Sequence, residues 1–381
     1  MKNNSNNVIK LGRRGFGGID RWLLLLISAI TIFGIVMVYS ASYYYSIADY
    51  GKSSYYFIRQ IIWVIGGFII MLIVSQIDYH IWINLWIPAY FIGLVLLILL
   101  LIPGVGTNTF GATRWIYIGP ISLMPGEISK PCLILFITGY YAKYRDTQGD
   151  FVRGVLPVGI AAIAYVALIM KQPNMSTAFT VLFIAVGMLI VGGLKIWQFL
   201  LCFFTGGGAG VALIFSSEYR RRRLLSFLDP FDPDIRLDEG WNAVQSLLAI
   251  GTGGVFGKGL GNSVQKNLYL PMGHNDFILA IIGEELGLVG IIALIMVYIW
   301  VFYRGFLISI KAKDFEGTML AFGITFWIAV QVIIHFAVVT SSMPPTGVVL
   351  PFISYGGNAM LLFMGAAGIL LNISKQNNEA R

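Results

Sequence analysis

An aspartate and a histidine stand where a polar stretch of the chain re-enters an apolar one. Asp276 and His274 belong to the segment 273–278, and two further acids, Glu284 and Glu285, follow within the apolar stretch itself. An acidic side chain near the centre of a bilayer costs about 2.5–3.5 kcal/mol on insertion scales. This placement indicates chemistry or ion handling, although aspartate also caps helices often, and for Asp276 alone capping is the simpler explanation.

A second group of charged residues surrounds the start of another apolar stretch. Pro125 suits the first position of a helix, so Glu127 and Lys130, three residues apart, share one helical face. Arg114 lies in the preceding connection, and Arg59 lies at the outer end of an earlier apolar stretch. Together these cations suit an anionic substrate with a diphosphate. Taken singly, Glu127 and Lys130 are more simply an ion pair, and Arg59 is an anchor at the membrane surface.

Six glycines lie in the segment 251–261 around Lys258. Neither the first glycine nor the hydroxyl residue of a phosphate-binding loop falls at the required spacing. Two interpretations remain open: backbone N–H groups and Lys258 could hold a lipid diphosphate, or the segment is a flexible re-entrant turn, which the glycine content favours. Upstream, Val244, Leu247 and Leu248 have the spacing of a short amphipathic helix on the membrane surface.

The composition is that of a membrane protein. Hydrophobic residues make up 57% of the chain and charged residues 12%, with a mean hydropathy of +0.79, whereas about a quarter of a soluble chain is charged. Apolar runs of roughly 20 residues, enough to cross a bilayer of about 30 Å, predict an all-α polytopic membrane protein with about ten transmembrane helices. The runs are 22–42, 58–77, 82–102, 124–142, 154–170, 177–194, 196–216, 277–303, 317–341 and 351–373.

The distribution of lysine and arginine predicts the orientation of these helices. With a cytoplasmic N-terminus, the inner segments hold fourteen basic residues and the short outer segments hold five, and short cytoplasmic loops are the basic ones. Both termini are therefore expected in the cytoplasm, with tails at 1–21 and 374–381 on either side of a membrane domain at 22–373. The large loop 217–275, before the eighth helix, then lies outside, as does Asp276.

The net charge of +8 does not indicate nucleic-acid binding. The basic residues are spread over loop ends, where anionic lipid headgroups are their natural partners. Cys132 and Cys202 both lie in apolar runs without metal-ligand spacing, so they are interpreted as buried thiols. His80 and His335 have no partner at metal-ligand spacing either, and no protein metal site is predicted.

Several blocks, in order along nearly the whole chain, resemble one family. The blocks are 219–220, 226–230, 245–251, 257–263, 274–287 and 351–357. Between about residues 18 and 372 the chain resembles the SEDS proteins, which are the shape, elongation, division and sporulation membrane proteins RodA, FtsW and SpoVE. The stretch 337–344 is more similar to the FtsW and SpoVE branch.

The resemblance implies a peptidoglycan glycosyltransferase in the bacterial cell membrane that serves division or sporulation. Its substrate would be lipid II, an undecaprenyl diphosphate-linked disaccharide-peptide, and its partner a class B penicillin-binding protein. Asp276 matches the family's essential loop aspartate. Glu127 and Lys130 match the acid and base of its Pro-Ser-Glu-x-x-Lys motif, and Arg114 matches its Arg-Trp pair. The chain departs from the family pattern at Met124, Gly126, Asn174, Met272 and His335.

The implied reaction needs a base for the acceptor hydroxyl and cations for the diphosphate that leaves. An α-linked donor that gives a β-1,4 product inverts the anomeric carbon, so one base suffices and no covalent glycosyl-enzyme forms. We assign Asp276 as this base and His274 as an orienting or packing residue in the substrate site. A helix N-terminus would lower the pKa of Asp276 and desolvation would raise it, and the sequence leaves the direction open.

The same residues allow other interpretations. Glu284 and Glu285 are expected to pair with basic side chains or to line a hydrated cavity. A flippase or ion-coupled transporter for a lipid-linked precursor would also carry intramembrane acids, and a non-catalytic scaffold for a penicillin-binding protein would keep the fold. No cofactor is required by these residues, and participation of Mg²⁺ or Mn²⁺ is left open.

Overall fold

The computed structural model describes residues 18–109, 112–118, 121–201, 204, 229–232, 240–344 and 347–379. Within these ranges the chain is mainly α-helical, with one small antiparallel sheet. The helices are α1 (Arg21–Tyr50), α2 (Tyr55–Val74), α3 (Tyr79–Asn84), α4 (Trp86–Leu99), α5 (Pro125–Lys143), α6 (Leu156–Lys171), α7 (Met175–Val191), α8 (Trp241–Gly253), α9 (Ile278–Ile310), α10 (Phe315–Val339) and α11 (Gly357–Glu379). A π-helical turn, Phe151–Val155, leads into α6, and residues 196–201 are also helical.

Most of the predicted apolar runs form helices. In the described part of the chain, six helical stretches are long and apolar enough to cross a membrane: α1, α2, Phe151–Lys171, α9, α10 and most of α11. Two shorter apolar helices, α4 and α7, accompany them, and α5 carries Glu127 and Lys130 near its start. A polytopic helical membrane protein is therefore confirmed. The number of ten spans stays a prediction, because the seventh run, 196–216, lies largely outside the described residues.

The connection between α4 and α5 is a small sheet, so the all-α prediction is wrong at this point. Its antiparallel strands, in the order β1-β2-β3, are β1 (Thr107–Thr109), β2 (Ala112–Ile118) and β3 (Ile121–Leu123). Aromatic and β-branched residues at 115–118 suit a pleated strand, and Ile116 pairs with Leu123. The apolar count used to draw spans does not detect strands this short. The sheet holds Arg114 on a fixed backbone just ahead of α5.

Short polar residues fix the beginnings of several helices. Asp20, Asn174 and Asp314 are the N-caps of α1, α7 and α10, and each side chain accepts a hydrogen bond from a backbone N–H of the first turn. α1 ends at Gly51, which takes the left-handed conformation (φ 68°) and donates its N–H to the carbonyl of Ile47 at 2.9 Å. The sharp end of α1 brings α2 back beside it.

The core lies around α10 and α11, which are the most enclosed of the long helices. Trp327 of α10 is fully buried and stacks on Phe363 of α11, with ring centroids 4.8 Å apart. α5 packs against α4, α7 and α10, and α1 packs against α2 and α9. Gly34 lets α1 approach the turn before α11, since a Cβ atom at this position would lie 2.7 Å from Cα of Ile353. These contacts bring the elements of the candidate site together.

The predicted short helix around Val244 is present as α8. Its buried face carries small or polar residues rather than the apolar ones, and Leu248 points outward with 40% of its surface exposed. Ser246 on the buried face donates a hydrogen bond from Oγ to the carbonyl of Val339, at 2.7 Å. Gly253 allows close contact with α9, because a Cβ atom there would lie 2.1 Å from a backbone oxygen of that helix.

The helix α9 is broken at Gly287, which has φ 67° and ψ −166°. The N–H groups of 258–259 donate to the carbonyls of 284–285, and the N–H groups of 288–289 donate to the carbonyls of 254–255, with N···O distances of 2.9 to 3.1 Å. Residues 254–259, the α9 splint, therefore supply the backbone partners that the break leaves without helical bonds. Neither interpretation of the glycine-rich segment predicted this role.

The last helix begins later than predicted. Residues 351–356 of the run 351–373 form turns that are mostly buried, and helix begins only after them. The hydroxyl of Ser354 accepts a hydrogen bond from the N–H of Leu350 (2.8 Å) and donates one to the carbonyl of Asn275 (2.7 Å). The apolar residues of this turn are buried as a packed loop, and an apolar count does not distinguish such a loop from a helix.

The predicted C-terminal tail, 374–381, is helical through residue 379. Ser374 is buried, and its Oγ accepts a hydrogen bond from the N–H of Asp20 at 3.0 Å. Asp20 in turn forms an ion pair with Arg304 near the end of α9. The last turns of α11 therefore pack against the start of α1, and the domain boundary at residue 373 stays a prediction.

Candidate active site

Asp276 lies in a tight turn immediately before α9. The backbone N–H groups of Asn275 and Asp276 both donate to the carbonyl of Met272, at 2.9 and 3.1 Å. The carboxylate is half-buried and lies against Gly347, where a Cβ atom would come within 2.9 Å of Oδ2. A larger residue at position 347 would crowd the carboxylate. Gly347 is therefore part of the site, although no motif in the sequence pointed to it.

Burial raises the pKa of Asp276 to about 6, and Arg114 opposes this rise as the nearby positive charge. Desolvation thus outweighs the factors that lower the pKa, which answers a question the sequence left open. Arg114 extends from β2, and its Nη2 donates a hydrogen bond to the carbonyl of Pro173 at 2.7 Å. The structure brings Asp276 and Arg114 together, and a carboxylate with this pKa is largely ionised at neutral pH.

His274 is enclosed by three tyrosine rings. Its ring centroid lies 4.5 Å from that of Tyr56, 5.6 Å from that of Tyr45 and 5.7 Å from that of Tyr355. Burial lowers the pKa of His274 to about 4, so the imidazole is neutral at pH 7. Its backbone carbonyl accepts the N–H of Tyr355 at 3.1 Å. These contacts fit the orienting or packing role, two residues from Asp276.

Glu127 and Lys130 form a buried ion pair at the start of α5, with Nζ and Oε1 2.5 Å apart. Nζ of Lys130 also donates to Oε1 of Gln331 in α10 at 3.0 Å. The Gln331 amide donates to the carbonyl of Val349 at 3.4 Å, which connects the pair to the segment that presents Gly347. Gln331 was not predicted, although a single amide within an apolar helix is a usable indication of a polar contact.

The two remaining predicted site residues have different surroundings. Arg59 is exposed, its Cζ lies 4.9 Å from the ring centroid of Tyr55, and it interacts with the hydroxyl of Tyr355. Arg59 therefore contacts one of the three tyrosines that surround His274. Lys258 instead forms an ion pair with Glu284 at 2.7 Å and holds the α9 splint. Among the described residues, its contacts do not include the groups around Asp276.

The expectation that the two intramembrane acids pair with basic side chains is confirmed. Besides the ion pair between Glu284 and Lys258, Glu285 forms one with Lys266, whose Nζ lies 2.9 Å from Oε1. Lys266 also donates to Oγ of Ser40 in α1 at 3.0 Å. Lys266 is distant from Glu285 in sequence and shares no motif spacing with it, so only the folded chain reveals this pair.

The departures from the family pattern are accommodated by local contacts. Asn174 caps α7, accepting the N–H of Thr177 at 3.3 Å. Gly126 lies close to that cap, since a Cβ atom there would be 3.1 Å from Cγ2 of Thr177. His335 is buried in α10, and its Nδ1 lies 2.7 Å from the carbonyl oxygen of Val348. Met124 and Met272 contribute backbone carbonyls, which bond the N–H groups that open α5 and the turn at Asp276.

Within the described residues, no group of three or more His, Cys, Asp or Glu side chains is arranged to hold a metal ion. Arg114 is the charged group among the described residues that acts on the pKa of Asp276. Participation of Mg²⁺ or Mn²⁺ therefore stays a prediction. A divalent ion could also arrive with a diphosphate, since Mg²⁺ commonly binds through substrate phosphates.

The fold and this site define a polytopic helical membrane protein with a half-buried carboxylate just before a long apolar helix. Residues 20–379 match the family described as "Cell cycle protein", which joins FtsW, RodA and SpoVE. The chain belongs to this family.

Known relatives cover nearly the whole chain. A protein named "Probable peptidoglycan glycosyltransferase FtsW" from Trichlorobacter lovleyi is 39% identical over 360 residues, with 93% of each chain covered. "Stage V sporulation protein E" of Bacillus subtilis is 36% identical, with 93% of this chain and 97% of that protein covered. A structure described as "Structural coordination of polymerization and crosslinking by a peptidoglycan synthase complex" superposes with a TM-score of 0.78, at 23% identity, over 94% of this chain and 98% of that one.

Proposed function

We propose that this protein is a peptidoglycan glycosyltransferase that polymerises lipid II into β-1,4-linked strands on the outer side of the bacterial cytoplasmic membrane. The observation that carries the proposal is the carboxylate of Asp276, which is half-buried and ionised at neutral pH with Arg114 as its nearby positive charge. The names of the relatives from Trichlorobacter lovleyi and Bacillus subtilis support it, since one is a probable glycosyltransferase and the other a sporulation protein.

The proposed reaction uses Asp276 as the general base. Its carboxylate accepts the proton of the acceptor's sugar hydroxyl as the hydroxyl oxygen attacks the donor's anomeric carbon. The bond from that carbon to the diphosphate oxygen breaks, and the electron pair leaves with the polyprenyl diphosphate. The anomeric carbon is inverted in this single step, so no bond forms between sugar and protein.

Cations near Asp276 are proposed to stabilise the leaving diphosphate. Arg114 lowers the pKa of Asp276 through its positive charge, and an arginine side chain binds a phosphate group through two parallel N–H···O hydrogen bonds. Arg59 is exposed beside the tyrosines that surround His274. Lys130 is buried and paired with Glu127, so its proposed role is structural. Through Gln331 it supports the 347–349 segment, which lies beside Asp276. The contacts of Lys258 favour a structural role in the splint over diphosphate binding.

The partner is proposed to be a class B penicillin-binding protein. Support comes from the structural neighbour, which is described as a complex that coordinates polymerisation with crosslinking. The strands that a glycosyltransferase makes must be crosslinked. Association with the crosslinking enzyme raises the effective concentration of new strands at that enzyme.

The deciding experiment is incubation of the purified protein, with its partner, with lipid II, followed by separation of glycan strands on a gel. We expect strands from the wild type and a fall of about 10²–10⁴ in rate for Asp276→Asn, the usual contribution of general-base catalysis. Asp146→Asn, at an exposed acid outside the site, is the matched control.

Three results would count against the proposal. Polymerisation at the wild-type rate by Asp276→Asn would remove the base assignment. Movement of lipid II across vesicles by the wild type, without polymer formation, would favour a flippase, and polymer made only by the partner would favour a scaffold.

A further inference from the structure

Aromatic rings in mutual contact lead from His274 to the turn between α1 and α2. The ring of Tyr56 lies 4.5 Å from that of His274 and 5.7 Å from that of Tyr50. Tyr50 stacks on Tyr55 with centroids 3.5 Å apart and planes inclined by 14°. These three tyrosines, Tyr50, Tyr55 and Tyr56, are called the tyrosine ladder. Its inner end contacts a residue two positions before Asp276.

Polar groups border the ladder on both sides. The hydroxyl of Tyr56 donates to Oδ2 of Asp49 at 3.1 Å, and Arg59 lies over the ring of Tyr55. Lys52 is exposed in the adjoining turn, and Tyr50 itself is 48% exposed. The ladder therefore offers flat apolar surfaces flanked by an acceptor and two cations.

Membrane proteins also carry tyrosines at the bilayer surface, where the rings contact lipid headgroups. Tyr39, Tyr43 and Tyr44 on the outer half of α1 fit that description, since each is exposed and lies beside another aromatic ring. The ladder differs because it continues inward to the buried His274, beside the candidate base. Tyrosines that only anchor the protein at the lipid surface need no chain of ring contacts to a buried histidine.

We propose that the tyrosine ladder is a subsite for the growing glycan strand. This inference rests on the proposed function, because it assumes that Asp276 makes a glycan. A pyranose ring presents C–H groups on its faces, and their partial positive charge is attracted to the negative face of an aromatic ring. Hydroxyls at the edge of the sugar can bond Asp49, and carboxylates of the attached peptide suit Lys52.

The ladder holds the strand between successive additions. A strand that dissociates after each linkage gives short products, whereas a strand held beside Asp276 is extended many times. Its function is therefore to set strand length, and its signature is a change in product length rather than in folding.

The test measures the length distribution of glycan strands made from lipid II by the full protein with its partner. In Tyr50→Ala we expect the mean length to fall about threefold to tenfold, which corresponds to the loss of roughly one aromatic contact. Tyr50→Phe keeps the ring and should keep the length. Tyr43→Ala, on the same helix and 36% exposed, is the matched control outside the ladder.

A binding measurement tests the subsite without polymerisation. A soluble β-1,4-linked N-acetylglucosamine hexamer should receive saturation transfer from the wild type and from Tyr43→Ala in detergent, and much less from Tyr50→Ala. Equal strand lengths and equal transfer in all variants would overturn the subsite while leaving the proposed function intact. Absence of any polymer from the wild type would instead overturn the proposed function.

Discussion

Partial removal from water makes the Asp276 carboxylate a stronger proton acceptor than a free aspartate. Its pKa is raised from 3.8 to about 6 by burial, which brings it closer to the pH at which a general base is most effective. The carboxylate is only half-buried, and a Cβ atom at Gly347 would lie 2.9 Å from its Oδ2. The same burial destabilises its charged form, a cost that is usual at catalytic sites.

The first prediction concerns pH. A base must be ionised, so the rate of polymerisation should rise with pH through about 6 and fall about tenfold per unit below it. Arg114 lowers the pKa of Asp276, so Arg114→Gln should move the midpoint to higher pH as well as slowing the reaction. Initial rates between pH 4.5 and 8.5 give both midpoints.

Lys313→Gln, at an exposed cation outside the site, is the control for this comparison and should keep the wild-type midpoint. A midpoint that is the same in all three proteins would show that Arg114 does not act on the base through its charge.

At the scale of elements, the break in α9 decides where Asp276 stands. The short first half of α9, before Gly287, carries Asp276 just ahead of it, and the α9 splint fixes that half through backbone hydrogen bonds. Two ion pairs, from Lys258 and Lys266 to the acids before the break, hold the surrounding segment. The pair of Lys266 is buried, and removing one partner of such a pair typically costs about 3–5 kcal/mol because the other charge is left unpaired.

The second prediction tests the splint through two glycines with similar positive φ angles. Gly257 has φ 78° and Gly261 has φ 84°. A Cβ atom at 257 would lie 2.2 Å from the carbonyl oxygen of Glu285, whereas one at 261 would meet nothing within 4 Å. Gly261→Ala should show only the cost of a left-handed alanine, about 1 kcal/mol. Gly257→Ala should lower the free energy of unfolding by clearly more than this. It should also reduce activity, because the added methyl group displaces the splint.

Thermal unfolding in detergent, with polymerisation measured on the same samples, compares the two variants. Equal losses of stability in Gly257→Ala and Gly261→Ala would mean that the close approach to α9 carries no energetic weight.

The sequence predicts elements well where one physical signal dominates. α1 and α10 follow from long apolar runs, although α1 continues to Tyr50, beyond the predicted run 22–42. It fails where distant contacts decide the structure. The turn at 351–356 is apolar yet not helical, because its backbone bonds to the loop before α9. Likewise, the contacts of Gly347 with Asp276 and of Lys266 with Glu285 could not be predicted, because they form only when segments distant in sequence come together.

At the scale of the whole molecule, the polar contacts between distant segments fall into two groups, one at each end of the molecule. One end joins segments predicted to be cytoplasmic: Asp20 pairs with Arg304, and Arg145 pairs with Glu316. The other end joins segments predicted to lie outside, including Arg114 and Asp276. The Lys and Arg count assigned these segments to two sides without any knowledge of contacts, and their grouping in space agrees with that division; which side faces outward stays a prediction.

The last prediction tests which end faces outward. In a background of Cys132→Ala and Cys202→Ala, single cysteines are placed at two exposed positions, Asn267 in the loop before Asp276 and Gln148 between α5 and α6. A membrane-impermeant thiol reagent added to intact cells should label Asn267→Cys at once. It should label Gln148→Cys only after the cells are permeabilised, because short basic connections stay in the cytoplasm. The reverse pattern would place Asp276 on the cytoplasmic side, where strands could not be delivered to the cell wall.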